Sequence, residues 1–407
     1  MTQRHRPRWS ELRPLLQPRA TSFSIDPTAR RLAGAASIGD LRALARRRAP
    51  RAVFDYTDGA AGDEVSLARS RDAFARVEFQ PRVLQDVSSI DLSSTLLGRP
   101  VSMPLLLGPT GFTRMMHTEG EPAVARVAEG AGIPYALSTM GTTSIERLAA
   151  EVPGSRRWFQ LYLLRDRAAS RDLVERAAAS GYEVLVVTVD TPVPGLRRRD
   201  VRNGLTIPPT LSLRTFVEGA THPRWWFDLL TTDALEFASR NHFDGTVAEL
   251  VASMFDSAAT IDDLAWLREI WRGPLVVKGI QTAADARRVV DAGADAVLVS
   301  NHGGRQLDRA PTTLERLPEV VAAVGDRAEV LLDGGVASGA DVVAAVALGA
   351  RAVSVGRVYL YGLMAGGERG VQRAVDIVRT EMATTMALVG VTSVADLGPE
   401  HVVIRPR

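Results

Sequence analysis

Two residues stand out for the chemistry they could do. Lys278 is the single lysine among 49 basic residues. Arginine serves wherever a positive charge suffices, so Lys278 is either a chance survivor or a site where a compact ammonium fits and a forked guanidinium does not. His302, one of six histidines, lies in Ser300-Asn301-His302-Gly303-Gly304-Arg305. An imidazole with glycines beside it can act as a general base near neutral pH, and an arginine three residues on can clamp a carboxylate. Asp190 could steady the imidazolium formed when His302 takes a proton, and Arg197 is a second carboxylate clamp. Arg198 and Arg199 read as surface charges. The plainer reading of His302 is a core histidine bonded to backbone.

Glycines suggest an anion nearby. Asp333-Gly334-Gly335 and Gly356-Arg357 each end an apolar run. Glycines let backbone N–H groups approach a phosphate, and an arginine adds a charged donor. Ser138, Gln160, Thr188 and Ser300 end other runs. Singly each reads as a satisfied buried polar group; together they read as a wall for a polar, ring-containing cofactor with a sugar-like chain.

The elements that must position these groups are eight runs rich in Val, Leu and Ile: Leu105–Gly108, Tyr135–Ser138, Trp158–Tyr162, Val184–Asp190, Leu275–Gly279, Ala296–Ser300, Glu329–Asp333 and Ala352–Gly356. Their starts are 30, 23, 26, 91, 21, 33 and 23 residues apart. Helical patterns fill most gaps, at Glu121–Glu129, Arg167–Ala179, Ala283–Ala292, Leu314–Val324 and Asp341–Leu348. Continuous apolar strands alternating with helices predict an α/β fold with a parallel sheet, and eight such units predict a (β/α)8 TIM barrel. A doubly wound open sheet is the rival. In a barrel, Lys278 and His302 fall at the ends of neighbouring strands, on the face where active sites sit. The gap of 91 places an insertion over about 204–262, after the fourth strand. An N-terminal lead-in with a helix over Ile38–Arg48 precedes the barrel, giving a body over 36–400 and a basic extension over 1–35.

Composition narrows the function. Cysteine is absent, which excludes disulfides, thiolate catalysis and cysteine-held metal or iron–sulfur sites. A net charge of +2 predicts no nucleic-acid partner. A P-loop would need Lys278, which stands between Val277 and Gly279, and neither G-x-S-x-G nor H-E-x-x-H occurs. No run reaches the length of a membrane span and no secretory signal is visible, so the expected location is the cytoplasm. The first fifty residues carry eleven arginines against Glu11, Asp26 and Asp40. That stretch is either a solvated tail, with some likeness to a transit peptide, or a surface attracted to anionic lipid or an acidic partner. In the insertion, Trp225, Trp226, Phe227, Leu229 and Leu230 form an apolar cluster, read as a lid on the barrel or as an anchor touching the inner face of the cell membrane.

The motif Ser300-Asn301-His302-Gly303-Gly304-Arg305-Gln306-Leu307-Asp308 resembles the FMN-dependent L-2-hydroxy-acid dehydrogenases and oxidases. The resemblance runs over about residues 36–395 and is nearest to the bacterial respiratory L-lactate dehydrogenases. It rests there on Trp158-Phe159-Gln160-Leu161-Tyr162, Pro192-Val193-Pro194-Gly195 with Arg197 and Arg199-Asp200, and Thr221-His222-Pro223 with Trp225. It implies non-covalent FMN and oxidation of a small 2-hydroxy acid, foremost L-lactate to pyruvate. A quinone or other electron acceptor and a homo-oligomer, a tetramer by analogy, are implied too. The alternative is a mandelate-type aryl hydroxy-acid dehydrogenase, or an oxidase using O2.

By the same resemblance His302 is the base and Asp190 its partner, and the residues serve a hydride or a carbanion route equally. Arg197, Arg305, Tyr56 and Tyr162 would bind substrate. Lys278 would stand beside the N1–C2 carbonyl region of the flavin. Pro109, Thr110, Gly111, Ser138, Gln160, Thr188 and Ser300 would touch flavin and ribityl. Asp333, Gly334, Gly335, Gly356 and Arg357 would hold the ribityl and phosphate end. Three positions differ from relatives: Ala337 stands where many have Arg, Met140 where plant-type glycolate oxidases have Trp, and Gly111 where several oxidases have Ala.

Overall fold

The computed structural model describes residues 8–12, 26–204, 221–232 and 255–406. Eight parallel strands close into a barrel in chain order: β1 (Leu105–Leu107), β2 (Tyr135–Ser138), β3 (Arg157–Tyr162), β4 (Val184–Thr188), β5 (Leu275–Ile280), β6 (Ala296–Val299), β7 (Glu329–Leu332) and β8 (Ala352–Val355). Pairing of Val353 with Leu105 joins β8 to β1, so the fold is the TIM barrel and the open sheet is excluded. The five expected helices between strands form within two residues of their predicted bounds. A sixth, Ile145–Glu151 between β2 and β3, had not been expected.

Alternation along the strands splits the core in two. Leu105, Leu107, Leu137, Phe159, Val187, Val277 and Val299 point out under the helices. Leu106, Ala136, Trp158, Val186, Val276, Leu298, Leu331 and Ala352 fill the interior. Both faces are covered, which is why the strands read as continuous apolar runs. A hairpin, Ser94–Leu96 with Arg99–Val101, brings Leu96 and Val101 into the interior cluster. Two residues further along seven of the eight strands, the same inward phase turns polar: Ser138, Gln160, Thr188, Lys278, Ser300, Asp333 and Ser354. The interior thus changes from hydrocarbon to hydrogen-bonding groups toward the C-terminal mouth.

The lead-in covers part of that mouth with α1 (Ile38–Arg48), α2 (Arg51–Asp58) and α3 (Val65–Ala75). Ser37 and Asp40 cap α1 reciprocally. Within the expected basic extension, helix Pro27–Ala33 buries Leu32. After β4 come α4 (Arg198–Asn203) and α5 (Pro223–Leu230). Most of the expected insertion, 205–220 and 233–254, lies outside the described residues, as do 1–7 and 13–25 of the basic extension. The eighth strand leads into α6 (Arg357–Gly366), which packs on α1.

Candidate active site

Polar strand ends and lead-in helices enclose one cavity at the C-terminal mouth. It is lined by Tyr56, Pro109, Thr110, Gly111, Gln160, Tyr162, Thr188, Arg197, Lys278, His302, Arg305, Asp333, Gly334, Gly335, Gly356 and Arg357. Three other predicted residues stand behind the wall and brace lining residues. Ser138 Oγ donates to Gln160 Oε1 at 2.8 Å, Lys278 Nζ donates to Ser300 Oγ at 3.0 Å, and His302 Nδ1 lies 3.0 Å from Asp190 Oδ1.

His302 is held in place by its backbone. Its φ of 56° is left-handed, an uncommon state for a residue with a Cβ. The Ser300 hydroxyl accepts its backbone N–H at 3.0 Å. Asp190 reaches the ring because β5 carries glycine at 279. There φ is 111°, and a Cβ would stand 2.7 Å from Asp190 Cβ. Burial lowers the His302 pKa, opposed by Asp190 and helped by Lys278, so the ring is neutral at pH 7. Asp190 pays for burial yet stays ionised, because His302 and Lys278 hold its pKa down. With Nδ1 on Asp190, Nε2 is the nitrogen left to accept a proton.

Two guanidinium groups gather at one ring. Arg305 lies 5.0 Å and Arg197 5.5 Å from the centroid of Tyr56. Burial and the neighbouring Arg197 push the Arg305 pKa down to about 9. Two cations crowded beside a neutral base make a site for a small anion. Tyr162 is pushed up to about 12 by burial and so remains a hydrogen-bond donor.

Arg199 corrects the expectation of a surface charge. It pairs with Asp55 at 3.4 Å, Asp58 at 3.1 Å and Glu64 at 2.5 Å, tying α4 to the lead-in that carries Tyr56. Asp58 also takes Arg42 Nε at 2.6 Å and the Tyr361 hydroxyl at 2.7 Å.

The opposite end of the cavity suits a flavin nucleotide. Gln160 Nε2, Thr188 Oγ1 and Asp333 Oδ1 are buried without a partner, an arrangement that costs stability unless a ligand satisfies it. Lys278 Nζ lies 3.4 Å from Asp333 Oδ2. Against the cost of burial, Asp333 and Asp190 keep the lysine charged. Gly335, at φ 85°, brings its backbone against Ser70 O, which would stand 2.7 Å from a Cβ there. Thr110 Oγ1 is 2.7 Å from the Tyr359 hydroxyl. The Arg357 guanidinium is turned to backbone: it donates to Thr57 O, Gly303 O and Gly59 O at 2.7 to 2.9 Å. Those bonds use three of its five N–H groups, and beside it lies the open first turn of α6, whose N–H groups have no partner within the helix.

Leu67 and Arg71 of α3 also line the cavity and were missed. The signal was present in the burial phase of Ser66, Ser70, Ala73 and Phe74, but two serines made it too polar to read as a helix face.

The comparisons agree with this geometry. A family described as FMN-dependent dehydrogenase matches residues 45–404, and the chain belongs to that family. A protein of Mycobacterium tuberculosis, named provisionally as an L-lactate dehydrogenase, is 55% identical over 97% of this chain and 95% of its own. The L-lactate dehydrogenase of Caulobacter vibrioides is 44% identical over 89% of this chain and 96% of its own. Among solved structures, the monotopic membrane protein (S)-mandelate dehydrogenase superposes with a TM-score of 0.88 at 38% identity, covering 91% of this chain and all of that one. The chain is therefore an enzyme that uses FMN to oxidise a 2-hydroxy acid.

Proposed function

We propose that the substrate is L-lactate, that the product is pyruvate, and that the electrons pass to a quinone-type acceptor. The observation that carries the substrate class is the pair Arg197 and Arg305, both within 5.5 Å of the Tyr56 ring centroid, beside a neutral His302. The two arginines bind the carboxylate, and the Tyr56 and Tyr162 hydroxyls orient the substrate oxygens. His302 Nε2 takes the hydroxyl proton, and Asp190 stabilises the imidazolium that results. FMN, when bound, supplies the acceptor for two electrons. Lys278, Gln160 and Thr188 would hold its ring, and Asp333 with the Gly334–Gly335 turn its chain. The choice of lactate is supported by the relatives named for it at 55% and 44% identity.

A mandelate-type aryl hydroxy acid is the second reading. It is favoured by the fold similarity to (S)-mandelate dehydrogenase and by Met140, a flexible side chain on the cavity wall that can yield to a ring. Steady-state rates with L-lactate, mandelate and glycolate separate the two: lactate should give the highest kcat/KM, and a preference for mandelate reverses the assignment. Anaerobic mixing with L-lactate should bleach the flavin, and a quinone should restore its colour faster than O2. Faster recovery in O2 makes the enzyme an oxidase.

Peripheral contact with the membrane belongs to the same proposal. Among the described residues no helix is long and apolar enough to cross a bilayer. In α5, Trp225 Nε1 donates to Met115 O at 3.1 Å, so one side of the helix is pinned to the barrel. Phe227 and Leu230, three residues apart, are 66% and 73% exposed. The lid and anchor readings thus describe two sides of one helix, and the exposed side would meet the headgroups where a quinone is reached.

A further inference from the structure

We infer that Arg71 of α3 supplies a side-chain charge, beside Arg357, that binds the phosphate of FMN in this chain. A phosphate monoester carries about −1.5 to −2 charge at neutral pH, and glycine N–H groups with an open helix turn answer it with partial charges only. The other cations along that part of the cavity are wholly or partly committed elsewhere. Arg42 holds Asp58 through Nε at 2.6 Å and Nη2 at 2.9 Å. Lys278 pairs with Asp333. Arg357 gives three of its five N–H groups to the carbonyls of Thr57, Gly303 and Gly59, which leaves it only part of its fork for an anion.

The glycine turn itself offers little more. Ala337 has no charge to give, and the N–H groups of Ala337 and Ser338 both go to Asp341 Oδ2, at 2.7 and 3.0 Å. Arg71 lines the same cavity, is exposed, and makes no hydrogen bond or ion pair with a described residue. Its position is set by its neighbour. Ser70 O lies against Gly335, and Ser70 Oγ accepts from Asn301 Nδ2 at 3.3 Å, so α3 is fixed to the turn and Arg71 follows directly. Arg71 is near enough to disfavour the charge on Arg357 and to favour that on Asp341. A free guanidinium beside a glycine turn and an open helix end completes a binding site for a dianion.

Flavin-stripped full-length protein would be titrated with FMN and with riboflavin, which lacks the phosphate, reading the loss of flavin fluorescence. Removing one charged contact in Arg71→Gln should weaken FMN about 10- to 100-fold and leave riboflavin unchanged. Adding Ala337→Arg to that variant should recover FMN affinity by placing a guanidinium on the facing turn. Equal loss for the two flavins, or no loss for FMN, overturns the inference. So does a fall in the melting temperature of the flavin-free Arg71→Gln protein, because Arg71 would then be holding the fold.

Discussion

Asp190 Oδ1 meets His302 Nδ1 at 3.0 Å across Gly279, a residue of the strand that lies between theirs. Three successive strands therefore set one proton-accepting nitrogen, and none of the three groups can shift alone. In His302→Ala the fold and FMN content should persist, while flavin reduction by the hydroxy acid slows by at least about 10²-fold, the usual cost of losing a general base. Stopped-flow reduction at near the parent rate would remove His302 from the mechanism.

The pH profile of kcat/KM should be bell-shaped. Burial holds the His302 pKa below the ordinary 6.5, so the base is neutral through pH 7 and activity falls only on the acid side of that value. Arg305 loses its proton near its lowered pKa of about 9, so carboxylate binding weakens above that pH. An acid limb centred above pH 7 contradicts the base, and a flat profile through pH 10 contradicts the role of Arg305.

Lys278 is charged, buried and paired with Asp333, whose other carboxylate oxygen has no partner. In Lys278→Met the protein should retain less FMN, or its flavin should have a lower midpoint potential, because negative charge on the ring loses its counter-charge. Parent-like flavin content together with an unchanged potential would show that the lysine serves something else.

Acid should loosen the lead-in before the barrel. Burial would raise the Asp58 pKa, but Arg42, Tyr361 and Arg199 outweigh it and bring it from 3.8 to about 2. The stability this gives is present above the unfolded value and is lost as pH falls through the folded one. It amounts to roughly 2 kcal/mol. Asp58→Asn should lower the melting temperature at pH 7 and narrow its gap from the parent by pH 2. A constant gap would mean that the charge of Asp58 is not what stabilises.

The double variant Phe227→Ser with Leu230→Ser should leave flavin reduction intact, since both side chains face water. Salt-sensitive sedimentation with anionic vesicles should fall, along with any stimulation of quinone activity by lipid. Deleting Pro223–Leu230 should have the same effect. If the deletion abolishes flavin reduction and the parent never binds vesicles, α5 is only a lid.

The barrel was legible because strands covered on both faces stay apolar throughout, and because on seven of the eight a polar residue follows on the inward phase. Lys278 and His302 could be read from type and spacing alone. Other features depended on contacts that no local pattern encodes. Arg199 looked like one of three surface charges in a row, yet it reaches acids more than 130 residues earlier in the chain. Arg357 reads as a phosphate ligand because it follows a glycine, but no local pattern shows that three of its five N–H groups also brace carbonyls of the lead-in and of Gly303. Helix α3 was missed because the face it buries is partly serine, and serine packs there by hydrogen-bonding Asn301 and carbonyl groups.

The short strand Val77–Phe79 pairs only with Val402–Ile404, among the described residues. The segment that brings Tyr56 and Arg71 to the cavity is thus stitched down by residues made 327 positions later, as the register Val77 to Ile404 records. During synthesis on the ribosome, β1 also waits for β8. Contacts this distant in sequence form late. Flavin capture therefore waits for β8, and a nascent chain stalled before it would emerge colourless.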